Sequence, residues 1–438
     1  MNISVIGAGI CGLTVAYRLV QAGHQVTVWE KEAEPGGLAR GVDLGGYRLD
    51  RYYRHIFRTD EPVLTLIREL GLSEELLWLP SKIGFFCDGH IHPFGTPMDL
   101  LRFSPLSPMD RVRFGLGVFY LTKSTDWRKL ESYSAKEWIV RWMGKTTYDV
   151  VWAPLLRLKF GDSAEEVSAA WIWGRIHPRA RSRSKGMKTE ELGYMKGSFA
   201  LLMDVLAERL RKLGVDVRLG EEVTELKPME HRWSIETRNT AVVSDLVVCA
   251  VPNAVFLGMA RELPKEYKSR LEQIDYQAVT CLALEMAKGL SDIYWLNVVE
   301  PGIRFAGLIE HTNLVSPAFY GGHHVVYLFQ YLSKNHPDLV LDDSGTFQAY
   351  EPSLRKMFSD FSPKDVLSMQ LSKDLYATPV YARHYSDRMP EVTTPWPGVF
   401  LANTSQIYPE DRNMSNGVVL ADRVVRHLED SIRKGGES

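Results

Sequence analysis

The chain opens on a short β-branched apolar run, "ISVI", that predicts a buried strand. In "LTVAYRLVQAG" the residues Leu13, Ala16, Tyr17, Leu19 and Val20 recur at helical spacing, and Gly23 closes the helix. "HQVTVWE" then predicts a second strand ending on Glu30. Strand, helix and strand at these lengths form a βαβ unit with parallel strands. Further along, "GSFALLMDVLAERLRKLG" (197–214) is an amphipathic helix stopped by Gly214, and "VDVRLGEEVTEL" predicts two short strands after it. "HRWSIET" and "SDLVVCAVP" predict two more. Near the end, "GVFLANTSQIYPEDRNMSNGVVLADRVVRHL" reads as a strand over 398–402, an irregular stretch, and a long helix opened by Asn416 and Gly417.

Composition narrows the class. At 438 residues, with 45% hydrophobic and 24% charged positions, the chain has material for two or three globular domains. Its net charge of -2 gives no general electrostatic case for nucleic acid or an acidic membrane. Cys11, Cys87, Cys249 and Cys281 lie far apart without a CxxC, the usage expected of reduced thiols in a cytoplasmic protein. Met1 and Asn2 run straight into the first strand, so no signal peptide is expected. The apolar runs "FGLGVFYL" (114–121) and "DLVVCAV" (245–251) fall short of the roughly 20 residues a membrane span needs, although peripheral contact stays open.

The first strand and helix are joined by Gly7-x-Gly9-x-x-Gly12. The first glycine permits a tight turn, the second lets the backbone approach a pyrophosphate, and the third lets helix lie against strand. Glu30 stands near the spacing at which an acid accepts hydrogen bonds from ribose hydroxyls, and its charge repels a 2′-phosphate, which argues against NADP. "EPGGLAR" then adds Gly36, Gly37 and, two residues later, Arg40. A nicotinamide domain needs nothing of this kind after the acid. A flavin dinucleotide buried along its whole length is gripped from a second loop as well, so FAD is the expected cofactor. The bland alternatives are a βαβ turn without a ligand and a plain turn at the glycine pair.

With these motifs, the first sixty residues resemble the flavin amine oxidase superfamily, which includes protoporphyrinogen oxidase, phytoene desaturases and, more distantly, UDP-galactopyranose mutase. The resemblance implies an α/β fold: a Rossmann-like, GR2-type FAD-binding domain carrying an inserted α+β substrate domain. The matching pieces assign 1–75, 191–261 and 376–438 to the FAD-binding domain. The insertions 76–190 and 262–375 form the substrate domain, the first mainly helical and the second mainly sheet. The implied cofactor contacts are Gly7, Gly9, Ile10, Cys11 and Gly12 in the first loop. Glu30 and Lys31 follow at the end of the second strand, and Gly36, Gly37, Leu38, Ala39 and Arg40 in the second loop. Val223 would lie at the adenine end through its backbone, or be a buried strand residue and nothing more. Asn403 would touch phosphate or ribitol. Asn416, Gly417 and Val418 would aim a helix N-terminus at the pyrimidine end, where reduction leaves negative charge, or form a simple cap. Two departures stand out: Leu38 occupies the place of an arginine that usually follows the glycine pair, and Ala402-Asn403 replaces a Gly-Asp or Gly-Asn pair.

Within the first insertion, "SKIGFFCDGHIHPFG" predicts a hairpin turning at Asp88-Gly89, and "SAEEVSAAWIWGRI" a helix with a capping box at Ser163 and Glu166. In the second, "YQAVTCLALEMA", "IRFAGLIEHTN" and "HHVVYLFQYL" read as strands of a sheet facing the flavin.

Candidate chemistry is sparse. Neither His90 with His92 nor His323 with His324 has a metal-ligand pattern, so no metal is expected, and there is no G-x-S-x-G motif. "YYRHIFRTD" (52–60) resembles the His-Ile-Phe-His-Thr segment of UDP-galactopyranose mutases, with Arg58 replacing the second histidine. His55 would then sit over the isoalloxazine, or else tie down the loop. Arg304, Glu310 and His311 fall on or just after a strand expected to border the cavity, where His311 is a candidate proton relay. Tyr331, Tyr381 and Tyr385 line an aromatic pocket or belong to the core. "GRIHPRARSRSKGMK" (174–188) gathers Arg175, Arg179, Arg181, Arg183, Lys185 and Lys188, with Arg157 and Lys159 upstream. Such a run is a solvated surface, a clamp for a phosphorylated or carboxylated substrate, or a contact for anionic lipid. The expected function is FAD-dependent dehydrogenation of a small organic substrate by hydride transfer to flavin N5. Non-redox isomerisation of a nucleotide sugar is the alternative. A third reading is a flavin-binding protein without turnover, anchored to membranes through the 95–123 region.

Overall fold

In the computed structural model, which describes residues 1–182 and 190–435, the predicted βαβ unit comprises β1 (Asn2–Ile6), α1 (Ile10–Gln21) and β2 (Gln25–Glu30). The two strands pair parallel with Val5 opposite Val28, and Gly23 takes the left-handed conformation just after the helix. They occupy the middle of a five-stranded parallel sheet in the order Val399–Leu401, Leu246–Cys249, β1, β2, Asp216–Leu219. Segments far apart in sequence therefore complete one sheet. A parallel sheet is buried on both faces. Here α1, the helix Ala200–Lys212 and the helix Met414–Gly435 cover one face. The antiparallel strands Val223–Met229, Arg232–Thr237 and Ala241–Ser244, with the helix Asn253–Met259, cover the other around Trp29, Trp233 and Phe256.

A separate mixed sheet has seven strands, in the order Val366–Pro379, Tyr276–Met286, His324–Leu332, Gly307–Glu310, Trp295–Val298, Ile83–Cys87, His90–Pro93. Period-two alternation divides its faces. Val279, Cys281, Tyr327, Phe329 and Ile309 join the core of the parallel-sheet half, whereas Leu282, Leu284, Leu328 and Leu308 pack with the helix Asp343–Met357. The hairpin Ile83–Cys87/His90–Pro93 turns at Asp88 and Gly89, both at positive φ, as the Asp-Gly signal requires. It carries part of the first insertion into this sheet. The flanks Leu76–Pro80 and Glu191–Met195 pair antiparallel, so that insertion leaves and returns through one ribbon.

Two local expectations need correction. Ser163 does not cap a helix: residues Gly161–Glu165 form a 3-10 turn and the helix Ala169–Ser182 begins later. Val167 and Ser168 are held extended in bridges to Ala382 and Ser134, which prevents an earlier start. The C-terminal helix begins at Met414, before Asn416, because the Asn413 side chain accepts from the Asn416 N–H at 2.7 Å.

Asp50 joins the two halves. It ends the hairpin Gly41–Leu44/Tyr47–Asp50, and its carboxylate accepts from the Tyr194 hydroxyl (2.7 Å) and the Phe199 N–H (3.1 Å). Its carbonyl accepts from Tyr327 of the mixed sheet at 3.0 Å. Burial pushes this carboxyl up to about 6, although Arg54 and the two hydrogen bonds pull it down. A folded-state value above the unfolded one adds stability that is complete below about pH 4 and is lost as pH rises through about 6. Relative to Asp50→Asn, the wild-type melting temperature is therefore expected to fall between about pH 4 and about pH 7. A difference that does not change with pH would contradict this account of Asp50.

Candidate active site

The site starts where β1 ends. Gly7 has φ +103° and its N–H donates to the Trp29 carbonyl at 2.7 Å; a Cβ there would lie 2.7 Å from the Ala250 carbonyl oxygen. At Gly12 a Cβ would stand 2.0 Å from the Gly7 carbonyl oxygen, so α1 is seated directly on the turn. Gly9 differs: a Cβ there meets nothing within 4 Å. The second loop closes onto the first. The Gly36 N–H donates to the Ala8 carbonyl at 2.7 Å, Gly9 and Gly36 form a parallel bridge, and a Cβ on Gly37 would lie 3.3 Å from the Gly9 Cα. Gly36 and Gly37 both have positive φ, and Leu38 and Ala39 complete the 3-10 turn that follows.

The Glu30 carboxylate is buried at the end of β2 and turns back to this turn, accepting from the Ala8 N–H (2.8 Å) and the Glu32 N–H (3.1 Å). Lys31 beside it is exposed. An open cavity of about 380 Å³ adjoins them, lined by Lys31, Glu32, Gly220, Glu221, Glu222 and Arg238 among others. Arg40 does not reach across the loops, because it pairs with Glu32 at 2.6 Å. The cation at the second loop is Arg54, whose guanidinium donates to the Leu38 carbonyl while its buried Nε has no partner. Ile10 and Cys11 form the first turn of α1, and burial pushes the Cys11 thiol up to about 12, so it is no thiolate. A Cβ on Gly417 would lie 2.8 Å from Ile10 Cγ2, which brings the C-terminal helix against the N-terminal turn of α1, with Val418 buried beside it. The Asn416 side chain donates to the Asp411 carbonyl, and Val223 is a buried residue at the start of its strand.

Asn403 departs from expectation. Its side-chain amide donates to the Val251 carbonyl (2.9 Å) and the Asn253 side-chain oxygen (2.8 Å), and its own oxygen accepts from Ser405. Both amide hydrogens are spent inside the protein, so Asn403 caps the turn Thr404–Gln406 and leaves no donor for phosphate or ribitol.

His55 lies deep between the two sheets yet keeps part of its surface open, as do Tyr53, Arg54, Phe57, Trp295 and Tyr331. These partly exposed side chains gather in one crevice beside the mixed sheet, His55 against Phe57 and Trp295 and Tyr53 against Trp295. His55 Nδ1 lies 3.3 Å from the Tyr294 hydroxyl. Burial lowers His55 to about 3, and Arg179 and Arg175 reinforce the shift, so its imidazole is neutral at physiological pH. Arg179 lies 5.8 Å from the ring centres of both Phe57 and Trp295. Arg175 pairs with Asp411, and the Lys159 ammonium stands 3.6 Å from the same carboxylate. Burial would raise Asp411, but Lys159, Arg175 and Arg412 hold it well below the ordinary carboxylate range. Lys159 is lowered to about 7, first by burial and then by Arg175, against the pull of Asp411. Arg412 donates to the Tyr331 hydroxyl at 3.3 Å and its buried Nε has no partner.

Other candidates lie elsewhere. His311 is buried against Tyr194 and hydrogen-bonded to Tyr320 at 2.8 Å, and burial lowers it to about 3, which removes a proton relay near neutrality. Glu310 is spent on the N–H groups of Leu290 and Ser291. Arg304 pairs with Asp338 at 2.8 Å, and its N–H donates to Ser353 of the helix Asp343–Met357, on the face of the mixed sheet away from the crevice. Tyr381 and Tyr385 are core residues, while Tyr331 faces the crevice. Arg58 pairs with Glu191, and Arg157 is exposed. Arg183, Lys185 and Lys188 lie outside the described residues, as does the Arg181 side chain. Arg54, Asp411 and Arg412 escaped the sequence reading. The signal for Asp411 and Arg412 was an acid-base pair in an irregular stretch before a helix, and Arg54 stands beside His55 in the 52–60 stretch.

These residues fit a dinucleotide. Two facing main-chain turns open at Gly9, a carboxylate stands at the end of β2, and Arg54 keeps an unpartnered buried donor beside the second turn. Comparison with known proteins agrees. The family model for flavin containing amine oxidoreductase matches residues 10–410. Protoporphyrinogen oxidase of Homo sapiens is 24% identical over 347 residues, covering 70% of this chain and 67% of that one. Coproporphyrinogen III oxidase of Staphylococcus aureus is 22% identical over 289 residues, and the match spans 58% of this chain and 61% of the relative's length. Among solved structures, reduced UDP-galactopyranose mutase superposes with a TM-score of 0.73 at 17% identity, covering 98% of this chain and 95% of the other.

Because a side chain at position 9 meets only open space, Gly9→Val is expected to fold with the wild-type melting temperature while purifying without flavin colour. Gly12→Val, which collides with the Gly7 carbonyl, is expected to lose the fold itself. A yellow Gly9→Val protein would refute the placement of the diphosphate.

Proposed function

We infer the function from one premise: the chain belongs to the flavin containing amine oxidoreductases and is a flavoprotein oxidoreductase of the protoporphyrinogen-oxidase-like group. The cofactor is FAD: the two glycine turns around Gly9 would hold its diphosphate and Glu30 its adenosine ribose. When bound, FAD takes two electrons from a substrate C–H bond as a hydride at N5.

The observation that carries the substrate class is the charge of the crevice. Among the described residues, Arg54, Arg175, Arg412 and Lys159 face only Asp411 and Asp50. Like charges gathered away from water are costly unless an anion joins them, so the substrate carries a carboxylate or phosphate. Arg175 and Arg412 hold that group, while Trp295, Phe57 and Tyr53 exclude water and orient an apolar body. His55, neutral and fixed by Tyr294, contributes a hydrogen bond but no charge. Lys159, near neutrality, takes the proton released on oxidation, so kcat/KM rises with pH through about 7. The same cations favour one other reading, a diphosphate-bearing sugar isomerised without net oxidation.

Anaerobic bleaching of the yellow protein by matched compounds with and without an anionic group tests the reading. Only the anionic members are expected to bleach it, and Arg175→Met to raise KM about 10- to 100-fold, the loss of one charge-assisted hydrogen bond of about 1.5–3 kcal/mol. Equal bleaching by neutral analogues would sink it, and a product of unchanged mass would assign the isomerase. Glu30→Ala is expected to weaken FAD binding to apoprotein by about 1–3 kcal/mol in a fluorescence titration.

A further inference from the structure

The helix Ala169–Ser182 meets the irregular stretch 408–412 at Gly174. A Cβ on Gly174 would lie 1.9 Å from the Pro409 carbonyl oxygen and 3.2 Å from the Glu410 Cα. Both atoms belong to main chain, which cannot swing aside as a flexible side chain would. Nothing within the helix asks for glycine, which weakens a helix interior relative to alanine. What asks for it is this seat. The two elements are pinned on either side of the contact. The Tyr408 hydroxyl donates to Ser168 Oγ at 3.1 Å, just before the helix, and Trp173 donates from the helix to the Ser124 carbonyl. The Asp411 carbonyl accepts from the Asn413 N–H (2.9 Å) and the Asn416 side chain (2.8 Å), which ties 408–412 to the C-terminal helix.

We propose that Gly174 is a positioning residue for the crevice: its seat on Pro409 sets Arg175 against Asp411 and, through that pair, the charge around Lys159. Arg175, the next residue along the helix, pairs with Asp411, two residues beyond Pro409. A side chain at position 174 drives helix and stretch apart by about 1 Å or more, and the gap opens one residue from Arg175. The Lys159 ammonium stands 3.6 Å from Asp411. Arg175 and Arg412 are the other charged groups facing it among the described residues, and the rings of Trp171, Tyr331 and Phe160 surround it. A like charge beside Lys159 favours its neutral amine, so moving Arg175 away lets the ammonium persist to higher pH. The consequence for catalysis rests on the roles proposed for Arg175 and Lys159, whereas the seat and its effect on Lys159 do not.

Competitive acylation of the flavin-loaded full chain with acetic anhydride, followed by mass spectrometry across pH, reads the titration of Lys159 without any substrate. The midpoint is expected at about 7 in the wild type and higher in both Gly174→Ala and Arg175→Met. The double variant is expected to match Arg175→Met, because Gly174 acts through Arg175. With an anionic substrate, Gly174→Ala is expected to raise KM about 10- to 100-fold at unchanged flavin absorbance, again with no further increase in the double variant. If Gly174→Ala gives no folded yellow protein, Tyr408→Phe loosens the same seat without a clash. It is expected to raise the midpoint by less, and not at all on the Arg175→Met background. A wild-type midpoint in Gly174→Ala, or in Tyr408→Phe where that stands in for it, overturns the proposal. So does a second upward increment in the double variant. A raised midpoint in Arg175→Met with a wild-type KM instead sinks the anionic-substrate reading and leaves the seat standing.

Discussion

One main-chain contact organises the molecule: the Gly36 N–H bonded to the Ala8 carbonyl, with Gly37 lying over Gly9. The approach depends on the glycines of the second loop, since a Cβ on Gly36 would lie 2.9 Å from the Arg40 nitrogen and one on Gly37 3.3 Å from the Gly9 Cα, and both have positive φ. The contact turns two separate loops into one platform. The Glu30 carboxylate accepts from the Ala8 N–H of the same turn, α1 starts at Ile10 just beyond it, and the space above Gly9 is left open. The flavin chemistry proposed for the chain depends on this platform, because the position of a reactive ring is set by where its diphosphate is held.

The second constraint is electrostatic. Guanidiniums from three distant stretches, Arg54, Arg175 and Arg412, border the crevice; Asp411, its charge firmly retained, lies by Arg175 and Arg412, while Arg54 faces Asp50. Such an arrangement is unfavourable for the protein alone. The anionic substrate proposed for the chain would offset that cost. Neutral His55 fits the same picture, since another positive charge there would add to the cost. In the proposed reading the platform would hold the cofactor, and the cation-rich wall would select for an anion.

The parallel sheet and its glycine loops were legible because their signals are local. Turn glycines, a closing acid and a run of β-branched residues need only their neighbours to be interpreted, and Gly23, Asp88 and Gly89 behave as their types predict. The candidate site was legible only in part. His55, Arg175, Arg179 and Lys159 do meet, but Arg304 falls on the opposite face of its sheet and His311 is sealed in the core. Asn403 is consumed by a turn, and Asn413 starts the last helix in place of Asn416. Each of these depends on which partner a side chain finds across the fold.

By itself the sequence determined the βαβ frame, the two glycine turns and the acid at the end of β2, because backbone sterics and short-range hydrogen bonds are written in consecutive residues. Only tertiary structure decided which cations converge and which histidines stay neutral. Those properties follow from burial and from charges brought together across hundreds of residues. No window of the chain contains that information.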